Sequence, residues 1–487
     1  MSNPLWDPAQ SLAAQVQSGR RTAVSVVAQA LARSREVHEQ LNCFAEIADD
    51  YALSAAAGID RARAEGRELG PLAGVPIAVK DSTPVATLGM RSGSRAYADV
   101  VATEDSVMVR RLRAAGAVVV GKTTLSEVAY SSFCDSPLTG ITRNPWNPER
   151  TPGGSSGGSA VAVATGCVTL AEGTDMGGSI RIPASFTGVI GMKPSAGRIP
   201  NDDQPSVVDD IAHHGLLARS TADLARGLDA VYGADSSDPN TLGLPRVDLG
   251  GVASVAGLRV AVSPDLGFFA VEPYVLERLN AVASALAAQG ATVLRADPGW
   301  DREMADAWVR HWHVHLAALF GADLERVRTE VDPRLWSIVE RARTYSAVAI
   351  KADERLRTLQ WQRMSAFWRR ADVLLSPTMS RSAVSVSEDD AMYHRAEQDG
   401  RKHGLDLTSL FNWVPWCPAI SVPAGAGPDG LPVGVHVAAQ PYRDDVALAV
   451  ARAVEAAFGV PAPPQFRGGL GRDHPAVTGA AKTTEDA

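Results

Sequence analysis

Several absences narrow the field before any motif is read. Cysteine is scarce: Cys43, Cys134, Cys167 and Cys417 lie far apart in 487 residues and form no C-x-x-C pair. That argues against a zinc knuckle or a disulfide framework, and no metal is expected. Four reduced thiols in a cytoplasmic protein are the simplest reading. Long apolar runs are missing too. Without a stretch of about 18 uninterrupted apolar residues, no transmembrane helix is expected. The opening residues, MSNPLWDPAQ, lack the basic-then-apolar order of a secretion signal. Positive charge is not in excess: the net charge is −8, and Lys and Arg are dispersed. Neither nucleic acid nor a membrane surface is therefore an expected partner. There is no internal repeat.

What is present is an ordinary globular balance, 45% hydrophobic and 21% charged. A chain of this length can bury a large core without staples. Residues 10–65 read as helices. Val75–Val79 reads as a short apolar strand ending on Lys80. Thr103 is the expected N-cap of a helix carrying Glu104 and Asp105 in its first turn. Met108, Leu112 and Ala115 form its apolar face; Arg110, Arg111 and Arg113 crowd its end, and Gly116 stops it. A strand follows at 117–120, then a Pro/Gly/Ser-rich loop at 134–158. Residues 159–171 read as a buried helix of small residues running into an apolar segment. After an exposed connection at 235–256, strands are expected at 257–263, 292–296, 371–377, 418–425 and 430–440. Helices are expected at 302–370 and 443–458, and a mobile tail beyond 466. The alternation implies an α/β fold around a mixed sheet.

Two glycine-rich patterns invite misreading. Gly116-Ala-Val-Val-Val-Gly121-Lys122-Thr123 fits a phosphate loop. Such a loop follows a strand and opens a helix, whereas here the strand lies inside the pattern. Lys122 is better read as a structural strand-end lysine. Gly153-Gly154-Ser155-Ser156-Gly157 fits a nucleophile elbow, but the preceding RNPWNPERTP holds three prolines and cannot be a central strand. His213 and His214 could partner such a serine, yet nothing in the sequence orders them.

A third signal is more specific. TPGGSSGGS (151–159) and GTDMGGSIRIP (173–183) bring two serines, Ser155 and Ser179, 24 residues apart around the small-residue helix. Bare backbone before Ser179 leaves N–H groups free to face a developing oxyanion. Either stretch alone could be a hydroxyl-capped turn, and Lys80 alone could be a snorkelling strand-end lysine.

With these residues together the chain resembles the amidase signature family of serine hydrolases. GPLAGVPIAVKD, LRAAGAVVVGKT, RNPWNPERTPGG and the run from TPGGSSGGS to GMKPSAGRIP all match that family's pattern. The resemblance covers most of residues 10–235 and 418–458. It implies the amidase signature fold, a central mixed β-sheet covered by α-helices on both faces. Residues 1–65 would be an N-terminal helical segment packing on the core. Residues 66–466 would be a single amidase domain, with its signature core at about 66–235 and 418–458 and a variable substrate side at about 236–417. Residues 467–487 would be a flexible tail.

The resemblance also implies the chemistry: Lys80, Ser155 and Ser179 as the catalytic set, with Ser179 the nucleophile and Gly154–Ser155 a cis peptide. Backbone N–H groups of Met176, Gly177, Gly178 and Ser179 would form the oxyanion hole. Asp175, Arg181 and Ser156 would support the loops. No cofactor is implied. The expected partner is a small-molecule amide, with a homodimer left open. The reaction implied is hydrolysis of a non-peptide, linear amide C–N bond, with esters or carbamates as further substrates.

An alternative within the family is the glutamine-hydrolysing subunit of a tRNA-dependent amidotransferase. Members of that subclass carry a pattern near EFAMGSSTENSAFG where this chain has SEVAYSSFCDSPLTG (126–140), which lowers that reading. Asp406 falls near the carboxylate that binds the glutamine amino group there, or it is a loop residue facing solvent. Tyr130, Ser131, Ser132, Trp413 and Trp416 are the expected substrate-pocket residues. The two tryptophans could equally be interior packing.

Overall fold

The computed structural model describes residues 4–204, 206, 209–321, 324–393, 399–463 and 466. The expected tail at 467–487 lies outside the described residues. The strands are β1 (Phe44–Ile47), β2 (Pro76–Lys80), β3 (Val118–Thr123), β4 (Asp135–Ser136), β5 (Gly140–Ile141), β6 (Leu170–Asp175), β7 (Ile190–Lys193), β8 (His213–Ala218), β9 (Arg259–Val262), β10 (Thr292–Arg295), β11 (Val373–Pro377), β12 (Ala419–Ala426) and β13 (Pro432–Ala439). The helices are α1 (Ala9–Gln17), α2 (Ala23–Leu41), α3 (Asp49–Ala64), α4 (Val107–Ala114), α5 (Gly157–Ala164), α6 (Arg181–Thr187), α7 (Thr221–Val231), α8 (Pro273–Ala288), α9 (Arg302–Phe320), α10 (Leu324–Val327), α11 (Pro333–Ala342), α12 (Ala347–Trp368), α13 (Leu410–Trp413) and α14 (Asp444–Phe458).

Eleven strands form one mixed sheet in the order β1-β3-β2-β6-β8-β7-β12-β13-β11-β9-β10, flanked by helices. β2, β3 and β6 are parallel to one another, as are β11, β9 and β10; the strands between them pair antiparallel. β2, β3, β7, β8, β11 and β13 are buried along their whole length. Their near-continuous apolar stretches are what a sheet covered on both faces requires. β4 and β5 form a separate two-stranded hairpin.

Two local expectations need correction. Residues 44–47 are not helical: they form the edge strand β1, antiparallel to β3. Asn42 ends α2 in the left-handed conformation (φ 52°), and the apolar FAEI that follows then extends. The cap of α4 is Ser106, whose hydroxyl accepts the Val109 N–H, not Thr103. Glu104 and Asp105 therefore precede the helix, and Asp105 instead accepts the Ala86 N–H at 2.8 Å.

Helix α5 explains the small residues after TPGGSSGG. All eight of its residues are buried. A Cβ on Gly158 would sit 2.5 Å from the Cys43 carbonyl oxygen, so the helix can reach this position only as glycine. Its close approach carries the serine stretch at its N-terminal end against the ends of β2 and β6. None of the helices among the described residues is long and apolar enough to cross a membrane.

Candidate active site

The site forms where two ladders part. β2 pairs with β3 to its last residue, Lys80 opposite Thr123, but with β6 only as far as Ala78 opposite Ala171. Beyond that point the Lys80 side chain is fully buried. Its Nζ lies 2.6 Å from Ser155 Oγ and 2.8 Å from Thr174 Oγ1. No carboxylate pairs with it among the described residues. Burial lowers its pKa from 10.5 to about 8, while Glu172, Cys134 and Asp175 pull it the other way.

The two serine stretches meet beside this lysine. The Gly154–Ser155 peptide is cis, and the Ser156 N–H donates to the Ser179 carbonyl at 3.1 Å. Backbone crowding accounts for the glycines. A Cβ on Gly154 would lie 2.4 Å from the Phe133 carbonyl oxygen, and one on Gly178 would lie 2.0 Å from Thr408 Oγ1. Gly178 also holds φ at +129°, a conformation other residues rarely adopt.

Asp175 organises the loop before the nucleophile position. Its carboxylate accepts the Gly178 N–H at 2.9 Å and the Ile180 N–H at 3.2 Å. It also accepts from Arg181 Nε and Nη2, at 2.9 and 2.7 Å, and from Asn412 at 3.0 Å. Burial alone would raise this carboxyl; the Arg181 charge and these hydrogen bonds hold it well below the usual range. Arg181 Nη2 also donates to Asn412 Oδ1, and its Nη1 to the Thr408 carbonyl. The Thr408 hydroxyl lies 2.7 Å from the Gly177 carbonyl oxygen. The Gly177–Gly178 peptide is thus held at both ends.

This bears on the expected oxyanion hole. The Gly178 N–H is already given to Asp175, so Gly178 leaves the expected set. The N–H groups of Met176, Gly177 and Ser179 have no protein acceptor among the described residues, and Gly177 and Ser179 face a cavity.

That cavity, about 360 Å³, is lined on one side by Gly177, Ser179 and Ile182 and on the other by α9 and α11. Tyr130, Ser131 and Ser132 also line it, although the Ser131 hydroxyl and the Ser132 N–H are both engaged by Asp390 Oδ2, at 2.6 and 3.0 Å. Asp406 lines it as well rather than facing open solvent. The two tryptophans follow the packing alternative. Trp413 is wholly buried, packs with Met176, Ile211 and Ala307, and does not reach the cavity. Trp416 stacks edge-on against Trp361 and lines a different, smaller hollow. Lying just before a core strand, both are drawn into packing. The aromatic wall comes instead from Trp308 and Trp312 of α9, stacked with centroids 6.1 Å apart. Their i, i+4 spacing on one helix was the legible signal. Thr174, Thr408 and Asn412 had no sequence signal; they enter through tertiary contact.

The misleading patterns resolve as structure. β3 runs through the phosphate-loop pattern, and Lys122 is buried with its Nζ on the Thr83 carbonyl. Among the described residues neither histidine is shown hydrogen-bonded to a serine: His214 lies between Glu172 and Asp203.

Compared with solved structures, this sheet and its helices are those of amide-cleaving hydrolases. A bacterial aryl acylamidase of the amidase signature family superposes with a TM-score of 0.87 at 28% identity, covering 93% of this chain and 96% of that one. A 6-aminohexanoate cyclic dimer hydrolase complexed with substrate gives 0.84 at 30% identity, covering 95% and 99%. The family model described as Amidase matches residues 25–448, and the chain belongs to that family. It is an amide-hydrolysing enzyme. The acylamidase of Rhodococcus erythropolis is 35% identical over 458 residues, 93% of this chain and 95% of the relative. A glutamyl-tRNA(Gln) amidotransferase subunit from Symbiobacterium thermophilum is 34% identical over 468 residues, 90% and 94%.

Proposed function

We propose that the chain hydrolyses carboxamides through an acyl-enzyme on Ser179, with Lys80 as base and Ser155 as relay. One geometry carries the reading: a buried lysine with no carboxylate partner among the described residues, 2.6 Å from a buried serine hydroxyl. Lysine takes up a proton only when neutral, and burial brings this one to about 8. Lys80 takes the Ser155 proton as Ser155 takes that of Ser179. Ser179 Oγ bonds to the carbonyl carbon, and the carbonyl π pair moves onto oxygen. The N–H groups of Met176, Gly177 and Ser179 are the proposed donors to that oxygen. When the C–N bond breaks, Ser155 gives its proton to the leaving nitrogen and recovers one from Lys80. Water then repeats the sequence and frees the acid.

The proposed substrates carry an apolar, aromatic group, because Trp308 and Trp312 wall the cavity. A cytoplasmic location is proposed with this; the four cysteines are buried and free, which suits a reducing compartment. A second reading, the glutamine-hydrolysing amidotransferase component, is favoured by one observation: Asp406 lines the cavity, where it could meet an ammonium group.

Ammonia or amine release across aliphatic amides, aryl amides, anilides, carbamates and glutamine tests the reading, with Ser179→Ala as the blank. Anilides and aryl amides are expected to turn over fastest. Turnover of glutamine alone would overturn the aromatic assignment in favour of Asp406. Activity surviving in Ser179→Ala would remove the nucleophile.

A further inference from the structure

Beneath Lys80 lies a buried chain of three ionisable groups that the reaction does not use. Glu172 of β6 and His214 of β8 are both fully buried. Glu172 Oε1 lies 2.9 Å from His214 Nδ1, and His214 Nε2 lies 3.0 Å from Asp203 Oδ1. With both carboxyls ionised, an imidazole that has one on each nitrogen satisfies both by donating twice, as the cation. Burial alone would lower the His214 pKa; the two carboxylates outweigh it and hold it well above 6.5. The three groups together carry one net negative charge.

The other side of Glu172 faces the lysine's strand. Its Oε2 accepts the Lys80 backbone N–H at 3.0 Å, and its Oε1 accepts the Thr83 hydroxyl at 3.0 Å. The Lys80 N–H needs this acceptor because the β2–β6 ladder has ended at Ala78. The turn from Lys80 to Thr83 is closed by the Thr83 N–H on the Lys80 carbonyl, and the Thr83 carbonyl accepts from Lys122. A side chain has replaced the missing backbone partner at the residue whose ammonium must lose a proton.

We propose that Glu172, His214 and Asp203 form a positioning unit for Lys80: they hold its backbone where the ladder ends, and their net charge sets the pH at which the lysine becomes a base. This rests on Lys80 being the base. The other groups facing Lys80 are Asp175 of β6 and Cys134, from the segment before β4. Facing the unit itself are Lys122 of β3, Asp202 and His213. Burial also pushes Lys122 down to about 8, against the pull of Asp81 beside it. Two variants of opposite charge change therefore give the sharper test.

Glu172→Gln removes a negative charge and should move the acid limb of kcat/KM to lower pH by about one unit. His214→Gln removes a positive charge and should move it to higher pH by about as much. The substrate is the fastest amide of the panel that has no ionisable group. Opposite shifts support the proposal, whatever happens to the plateau; a purely structural role would lower the plateau and leave the limb in place. Limbs that stay put, or move the same way, overturn it. If His214→Gln does not yield folded protein, Glu172→Gln decides alone, and an unmoved limb there overturns the proposal. Failure of the base assignment reads differently: Lys80→Ala would then stay active.

Discussion

The cavity has two unlike walls. On one, Asp175, Arg181, Asn412 and Thr408 are buried and joined by a closed set of hydrogen bonds that fixes the loop from Met176 to Ser179. On the other, α9 and α11 present Trp308, Trp312 and Ile338, held by apolar packing and by an ion pair from Arg334 to Asp332 and Asp135. The first wall has directional bonds with little freedom, which suits groups that must meet a developing charge. The second is apolar contact surface, and it meets the first where Trp308 packs over Gly177. Under the proposed reading, chemistry and substrate choice thus rest on different kinds of force.

The largest effects should come from breaking the first wall. Ser179→Ala and Lys80→Ala are expected to lower kcat by about 10⁴-fold or more, and Ser155→Ala by orders of magnitude. Wild-type activity should rise with pH through about 8 as Lys80 loses its proton. A profile flat from acid to alkali would contradict the base assignment. Thr408→Val keeps the shape but removes the hydroxyl on the Gly177 carbonyl; about a tenfold drop in kcat with little change in KM is expected. A KM change instead would place Thr408 on the substrate side.

Trp413 and Trp308 sharpen the contrast, since one is packing and the other cavity wall. Trp413→Ala should cost about 3–5 kcal/mol in urea unfolding and leave the ratio of anilide to aliphatic amide turnover unchanged. Trp308→Ala should do the reverse, raising KM for anilides by about tenfold with little loss of stability. The smallest effect is expected at Trp416, away from the cavity. Its alanine variant should keep anilide kcat/KM within about twofold, and a larger loss would extend the site toward Tyr442.

Much of the first wall was legible in the chain. Lys80, Ser155, Ser179, Asp175 and Arg181 stand in short stretches whose composition reflects local demands: glycine where a Cβ would strike backbone, small residues where a helix approaches a strand. The departures are equally instructive. Residues 44–47 read as helix because a four-residue edge strand has too short a period to register. Trp413 reads equally as pocket wall or as packing, because adjacency to a core strand says that a residue is near the core, not which way its ring turns. Gly178 reads as an oxyanion donor by its place in the loop, yet its N–H goes to Asp175, only three residues away.

By itself the sequence determined the α/β class, the paired serine stretches and the lysine at the end of β2, because each is a matter of local spacing. Tertiary structure alone decided that β2 leaves β6 at Ala78 and that Glu172 takes the freed Lys80 N–H. It also decided that His214 sits between two carboxylates, and that α9 supplies the aromatic wall. The contacts of Glu172 with His214 and Lys80, and of Thr408 with Gly177, join residues from 42 to 231 positions apart, and a buried polar group accepts whichever partner the fold brings within reach, wherever that partner lies in the chain.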